Sequence, residues 1–309
     1  MSALAPHSCL HVADHVARAL AAGQAVVALE STLVSHGLPR PDNLGIARKV
    51  EATVRLHGAI PATVGVVDGR LTVGLSDPEL ARLATADDVI KVGVRDLAAA
   101  IVLGRDGATT VASTATVAAR VGIDVFATGG LGGVHRRARE SWDESADLVA
   151  LASTPVTVVC SGVKSILDVP ATLERLESLS IDLVGYRTTR FPGFYLTDSG
   201  YPVSWRVDFP EQIAELMRVR AELAASRAAL IVANPLPESE QLELALHDRV
   251  LAQALAAADR DGVTGKDVTP YLLAHFHRAT RGRSMEANMA IILGNAALAA
   301  DIAVAAQRR

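Results

Sequence analysis

Short runs dense in β-branched and other apolar residues alternate along the chain with longer segments whose apolar positions recur every three or four residues. The runs at 24–30 (QAVVALE), 60–67 (IPATVGVV), 88–92 (DVIKV), 123–128 (IDVFAT), 155–160 (PVTVVC), 182–186 (DLVGY) and 229–235 (ALIVANP) predict strands. Several are apolar at consecutive positions, as strands covered on both faces are. Segments 11–22, 43–57, 95–103, 110–121, 165–178, 211–225, 241–260 and 284–306 carry the helical period in helix-forming sequence. The alternation predicts an α/β fold, layered α/β/α around a mixed, mostly parallel central sheet. VVDGRLTVGL at 66–75 supplies the antiparallel part, because an Asp-Gly pair between two extended runs is a hairpin signal. With no repeat and no low-complexity linker, residues 1–309 read as a single domain. Residues 187–210, rich in Gly, Pro and aromatics, read as a long functional or interface loop.

Composition narrows the class. At 309 residues, 50% hydrophobic and 21% charged, the chain can bury the core of an ordinary globular enzyme. A net charge of −4 with dispersed Lys and Arg argues against nucleic-acid and membrane-surface partners. The two cysteines, Cys9 and Cys160, form no disulfide framework and fit a reducing, cytoplasmic compartment. The N-terminal stretch lacks the pattern of a secretion signal, and Asp301 interrupts the apolar C-terminal stretch before it reaches the length of a membrane span.

Candidate chemistry collects where predicted strands end, the edge at which open α/β sheets bind ligands. Glu30 closes an apolar strand beside Ser31 and Thr32, and partial burial would suit it to donating a proton; a loop-anchoring Glu is the structural alternative. His36, further along, reads as loop architecture. Lys91 lies within an apolar strand, where it needs a partner or an anionic ligand, unless it points into water from an edge strand. FATGGLGGVHR (126–136) is a glycine-rich loop after a strand whose backbone amides could approach an anion, although it is neither a dinucleotide fingerprint nor a Walker loop. SWDESADL (141–148) clusters Asp143, Glu144 and Asp147, hard oxygen ligands suited to Mg²⁺ or Mn²⁺, or alternatively an acidic first turn of a helix. In VVCSGVKSIL (158–167), Lys164 falls where a strand turns into an expected helix. Burial and a helix N-terminus would both disfavour its ammonium, and a neutral lysine is a nucleophile toward carbonyl carbon. A pair with Asp168 at i+4 is the bland alternative.

The motifs ALEST…SHG.P.P.N, K…RDL, GATTV, VFATGG.GGVHR, D.SADL, VVC.G.KSILD, VANP.PE and TP.LL run in this order from about residue 10 to near the C-terminus. In them the chain resembles the pseudouridine-5′-phosphate glycosidases, also called indigoidine-synthase-A-like proteins. That resemblance implies a trimeric, Mn²⁺-dependent enzyme joining or splitting the carbon–carbon bond between ribose 5-phosphate and C5 of uracil. It implies that Lys164 is the nucleophile, Glu30 the proton donor and Asp143 the metal ligand. Lys91, Val111, Ser145, Ala146, Asp147, His135 and Asn288 match the family's substrate-binding pattern. The chain departs from that pattern at Gly93, at TRG (280–282) and at GNA (294–296); the ribose 5-phosphate half reads as intact, and the C-terminal changes are expected to bear on the uracil half or the subunit interface.

Chemistry agrees with the implied roles. Uracil attached through carbon is a poor leaving group, so the two-carboxylate route through an oxocarbenium ion is badly matched to this bond. Protonation of the ring oxygen by Glu30 would open the sugar, and Lys164 would hold C1′ as an imine-type adduct while Lys91, loop amides and His135 grip the phosphate. A homologous synthase of alnumycin biosynthesis uses such chemistry to attach ribose 5-phosphate to an aromatic polyketide, which makes an aromatic aglycone the second reading. A non-catalytic phosphosugar-binding regulator is the third, disfavoured because Glu30 and Lys164 are both present.

Overall fold

A computed structural model describes residues 9–263 and 268–307. Its strands are β1 (Leu10–Val12), β2 (Val26–Glu30), β3 (Ile60–Val67), β4 (Arg70–Val73), β5 (Ile90–Val92), β6 (Gly107–Thr109), β7 (Val125–Ala127), β8 (Thr157–Cys160), β9 (Asp182–Tyr186), β10 (Arg206–Val207) and β11 (Leu230–Ala233). They form one sheet in the order β1-β4-β3-β2-β7-β8-β11-β9-β10, with β5 and β6 attached as a branch on β3. Pairing is parallel except for β3 with β4 and β3 with β6. The expected hairpin is β3–β4, and Asp68 and Gly69 both take positive φ at its tip, the backbone a two-residue turn of matching twist requires.

Helices cover both faces. They are α1 (Asp14–Ala21), α2 (Asp42–Leu56), α3 (Asp77–Thr85), α4 (Leu97–Val102), α5 (Val111–Arg120), α6 (Ala138–Ser141), α7 (Ala146–Leu151), α8 (Val169–Ser178), α9 (Pro210–Leu223), α10 (Leu244–Arg260), α11 (Val268–Ala279) and α12 (Arg283–Gln307). The period-2 alternation of each central strand feeds two separate cores. Val26, Ala28, Phe126, Val158 and Ile231 pack with α1, α5, α7 and α8, whereas Val27, Leu29, Val125, Val159 and Val232 pack with α2, α9 and α12. The layered α/β/α arrangement expected from the doubly apolar strands is therefore present. By length and composition alone α12 could cross a bilayer, but it is mostly buried against the sheet, α2 and α9.

Differences from the sequence reading are local. β1, β6 and β10 are at most three residues long, too short to show a period. α3 went unread although Ser76 and Glu79 form a capping pair, the Glu79 carboxylate accepting from the Ser76 amide at 2.8 Å. α7 and α11 were also missed. The helix expected from 165 starts instead at Val169, capped by the Asp168 carboxylate, which accepts from Ala171 N at 3.1 Å. Residues 187–210 remain largely irregular but are packed, with Phe191, Phe194, Tyr195 and Val203 buried.

Candidate active site

The site lies where strands of opposite direction meet end to end. β3 runs on past the end of β2, and β6 pairs with that extension antiparallel, so β6 ends near the level of Glu30. The junction is hydroxyl-bonded. Ser31 Oγ donates to Val64 O at 2.6 Å and accepts from Thr109 N at 2.9 Å, and Thr32 Oγ1 donates to Thr109 O at 2.8 Å. These two hydroxyls, expected beside the Glu30 carboxylate, instead splice the strand ends.

Glu30 itself is only 9% exposed, and its carboxyl accepts from Thr128 Oγ1, a residue with no exposure at the end of β7. Burial raises its pKa above the ordinary value; Lys164, the Thr128 hydrogen bond and Lys91 pull it down, and Asp147 pushes it up. The balance keeps the proton on Glu30 at higher pH than on an exposed glutamate, as a proton donor requires.

Lys164 leaves β8 on a backbone zippered to the glycine loop. Leu131 N donates to Gly162 O at 2.9 Å and Lys164 N to Leu131 O at 3.2 Å. Because α8 begins five residues later, its N-terminus does not act on the lysine; the dipole argument for Lys164 falls away, and so does the pair with Asp168, whose carboxylate caps α8. Lys164 is half-buried in a cleft that it shares with Glu30 and with the equally half-buried Lys91.

The glycine loop departs from expectation in a different way. Its amides at Leu131, Gly132, Val134 and His135 donate to Gly162 O, Asp147 Oδ2, Thr172 Oγ1 and Asp143 O, so those four do not cradle a phosphate. Close packing explains the glycines: a Cβ on Gly132 would lie 2.1 Å from Ser145 Oγ, and one on Gly130 would lie 2.7 Å from the Phe194 ring. Asp147 is the clamp. Its carboxylate accepts from Gly132 N and from Ala112 N at the start of α5, both at 2.9 Å, tying the loop, α5 and α7 together.

The acidic cluster is divided. Glu144 pairs with Arg175 at 2.8 Å and Asp147 is taken by amides, which leaves Asp143, half-buried, with the His135 ring nitrogen 3.6 Å from its carboxylate. Among the described residues no three His, Cys, Asp or Glu side chains form a cage. One carboxylate facing a polar cleft still fits a hard divalent ion that keeps most of its waters. Burial, reinforced by Lys91 and Lys164 and opposed by Asp143, lowers the His135 pKa and holds the ring neutral at pH 7.

One cleft of about 860 Å³ gathers the candidates. Glu30, Lys91 and Lys164 line it with His135 and Asp143. Val111, from the first turn of α5, joins the Ser145–Ala146–Asp147 start of α7 on the wall, and Asn288 of α12 adds a buried carbonyl oxygen with no partner. His36, read in the sequence as loop architecture, lines the cleft too, its Nε2 buried and without a hydrogen-bond partner. Phe194, held at positive φ and donating its amide to Ser161 O, brings the 187–210 loop to this chain's own cleft. The departures from the family pattern scatter: Gly93 lines the cleft, Arg281–Gly282 form the left-handed turn before α12, and Gly294 sits beside Asn234.

A half-buried lysine and a buried carboxyl of raised pKa, together in one polar cleft at the strand ends of a mixed sheet, define a candidate active site in a protein of the α/β class. The chain belongs to the indigoidine synthase A like family, whose pattern it matches over residues 15–305. It is 63% identical over 294 residues to a pseudouridine-5′-phosphate glycosidase of Salinispora tropica, covering 95% of this chain and 91% of that one. A pseudouridine-5′-phosphate glycosidase of Streptomyces griseus is 59% identical, with 94% and 90% covered. Among solved structures, the prealnumycin C-glycosynthase AlnA in complex with ribulose 5-phosphate superposes with a TM-score of 0.89 at 36% identity, 98% of each chain being covered. An indigoidine synthase A-like protein of Thermotoga maritima gives 0.88 at 35% identity, with 99% and 100% covered.

Proposed function

We propose that this protein reversibly splits pseudouridine 5′-phosphate into uracil and ribose 5-phosphate. The observation that carries the reading is the convergence, on one polar cleft, of Lys164 and a Glu30 whose pKa burial raises, in a chain 63% identical to a protein named for that reaction. Glu30 gives its proton to the ribose ring oxygen as the C1′–O bond opens, and the Lys164 amine bonds to C1′. The nitrogen lone pair then expels uracil C5, which takes up a proton, leaving a protonated imine between Lys164 and C1′. Water adds at C1′ and frees ribose 5-phosphate; the joining direction reverses these steps. Lys91, with His135 beside it, supplies positive charge and hydrogen bonding for the phosphate and fixes the opened sugar. Ser145 and Asp147 shape the wall against which it lies, and Asn288 offers its free carbonyl oxygen to an N–H donor such as that of uracil. Mn²⁺, held by Asp143, would supply positive charge and ordered water at the cleft.

Coupling of ribose 5-phosphate to an aromatic aglycone is the second reading, favoured by the likeness to AlnA, but identity to that protein is 36% against 63% for the glycosidase. Assembly as a homotrimer and a cytoplasmic location are part of the proposal by family resemblance. Borohydride trapping tests the lysine step. Incubation with ribose 5-phosphate and reduction should add the reduced sugar phosphate to Lys164, located by peptide mass, and Lys164→Ala should take up none. Trapping at another lysine would refute the assignment.

A further inference from the structure

The carboxyl of Glu30 has a companion that lies within the glycine-loop motif without a role assigned to it. Thr128 follows the last residue of β7, is fully buried, and its hydroxyl donates to Glu30 Oε1. Its backbone is fixed on both sides. Thr128 N donates to Val159 O at 3.0 Å, and Thr128 O accepts from Asn295 Nδ2 at 2.8 Å. Asn295, with no exposure, is in turn held by Asn234 Nδ2 at 2.9 Å, and Ser161 Oγ donates to Asn234 O at 2.8 Å. α12 is thus tied through one asparagine to the ends of β7, β8 and β11, and the tie ends at the proton donor.

We propose that Thr128 is the positioning residue of Glu30: its hydroxyl engages Oε1, so that the transferable proton resides on Oε2 and is aimed at the substrate. This rests on the glycosidase reading, in which Glu30 is the acid. A hydroxyl donated to a carboxylate favours its ionised form and so opposes burial, keeping the proton transferable rather than locked. The other charged groups that act on Glu30 are Lys164 after β8, Asp147 on α7 and Lys91 on β5; none of them supplies this neutral donor. Fixing one oxygen also removes the rotational freedom of the carboxyl, and orientation is worth rate in proton transfer.

Thr128→Val keeps the shape and deletes the donor, with Thr128→Ala as the substitute if the valine variant does not fold; Thr128→Ser restores the donor. In kcat/KM for uracil release, activity falls as pH rises through the Glu30 pKa, so deleting the donor should move that limb up by about one pH unit. It should also lower kcat by roughly 10- to 100-fold with KM little changed. Thr128→Ser should keep the wild-type limb. An unmoved limb, or a serine variant as impaired as the valine one, overturns the proposal. Infrared titration of the Glu30 carboxyl without substrate, using Glu30→Gln as the blank, separates this inference from the reading beneath it. A raised titration in Thr128→Val while the wild type releases no uracil keeps Thr128's hold on Glu30 and removes the glycosidase; an unshifted titration removes the inference whatever the activity.

Discussion

Glu30 sits where a carboxylate loses hydration, and the stability of the protein carries the cost. Its folded pKa is raised above the ordinary 4.5, so the folded chain binds this proton more tightly than the unfolded one. The contribution to stability is fully present below pH 4.5 and is lost as pH rises through the raised value. Glu30→Gln should therefore abolish uracil release and yet raise the melting temperature relative to wild type, by a margin that grows as pH rises from 4.5 through the raised value. A margin independent of pH would contradict the raised pKa. At this scale the sequence was legible where a residue type is costly in its place: a glutamate ending an apolar strand, or a lysine inside one. The role of Thr128, although it lies in the glycine-loop motif, was not legible, because a threonine after a strand is ordinary and its partner lies 98 residues away. Ser31 and Thr32 misled for the same reason, their hydroxyls serving a strand junction that only the register of β3 with β6 reveals.

Between elements, the site is held by packing that tolerates little change. Gly132→Ala would drive a methyl into Ser145 Oγ and the Asp147 carboxylate, the clamp that joins the glycine loop to α5 and α7. A loss of ~1–3 kcal/mol of stability is expected, with reduced activity, read by chemical denaturation and uracil release. Asn295→Ala strips partners from Thr128 O and Asn234 Nδ2 and should cost ~1–3 kcal/mol for each group left unpaired. Retained stability in Gly132→Ala would show that the Asp147 clamp relaxes, and in Asn295→Ala that Thr128 O and Asn234 Nδ2 find other partners. The glycine loop was visible in sequence, but its purpose was misread: glycines serve an amide cradle and close packing alike, and only the neighbours, Ser145, Thr172 and Phe194, decide which. The start of α8 was placed four residues early because the run from Ser165 is compatible with a helix, whereas the Asp168 cap sets the boundary.

Across the whole molecule, the layered fold could be read because the buried strands β2, β3, β7, β8 and β11 announce themselves by consecutive apolar residues, and their alternation feeds two cores. The branch of β5 and β6 could not, since β6 is three residues long and its antiparallel pairing depends on β3 overshooting β2. The cleft gathers residues from 30 to 288, and the motifs resembling the family named them, whereas their separation in the chain would not have. For the proposed metal, chelation should abolish activity and Mn²⁺ restore it in the wild type, while Asp143→Ala should resist rescue. Full activity in chelator would refute the assignment. The most direct measurement is uracil release from pseudouridine 5′-phosphate with Mn²⁺ present, comparing wild type with Lys164→Ala. The account predicts release by the wild type and none by the folded variant. Equal release by both would contradict lysine catalysis, and no release by the folded wild type would contradict the glycosidase itself, leaving coupling to an aromatic aglycone as the reaction to pursue.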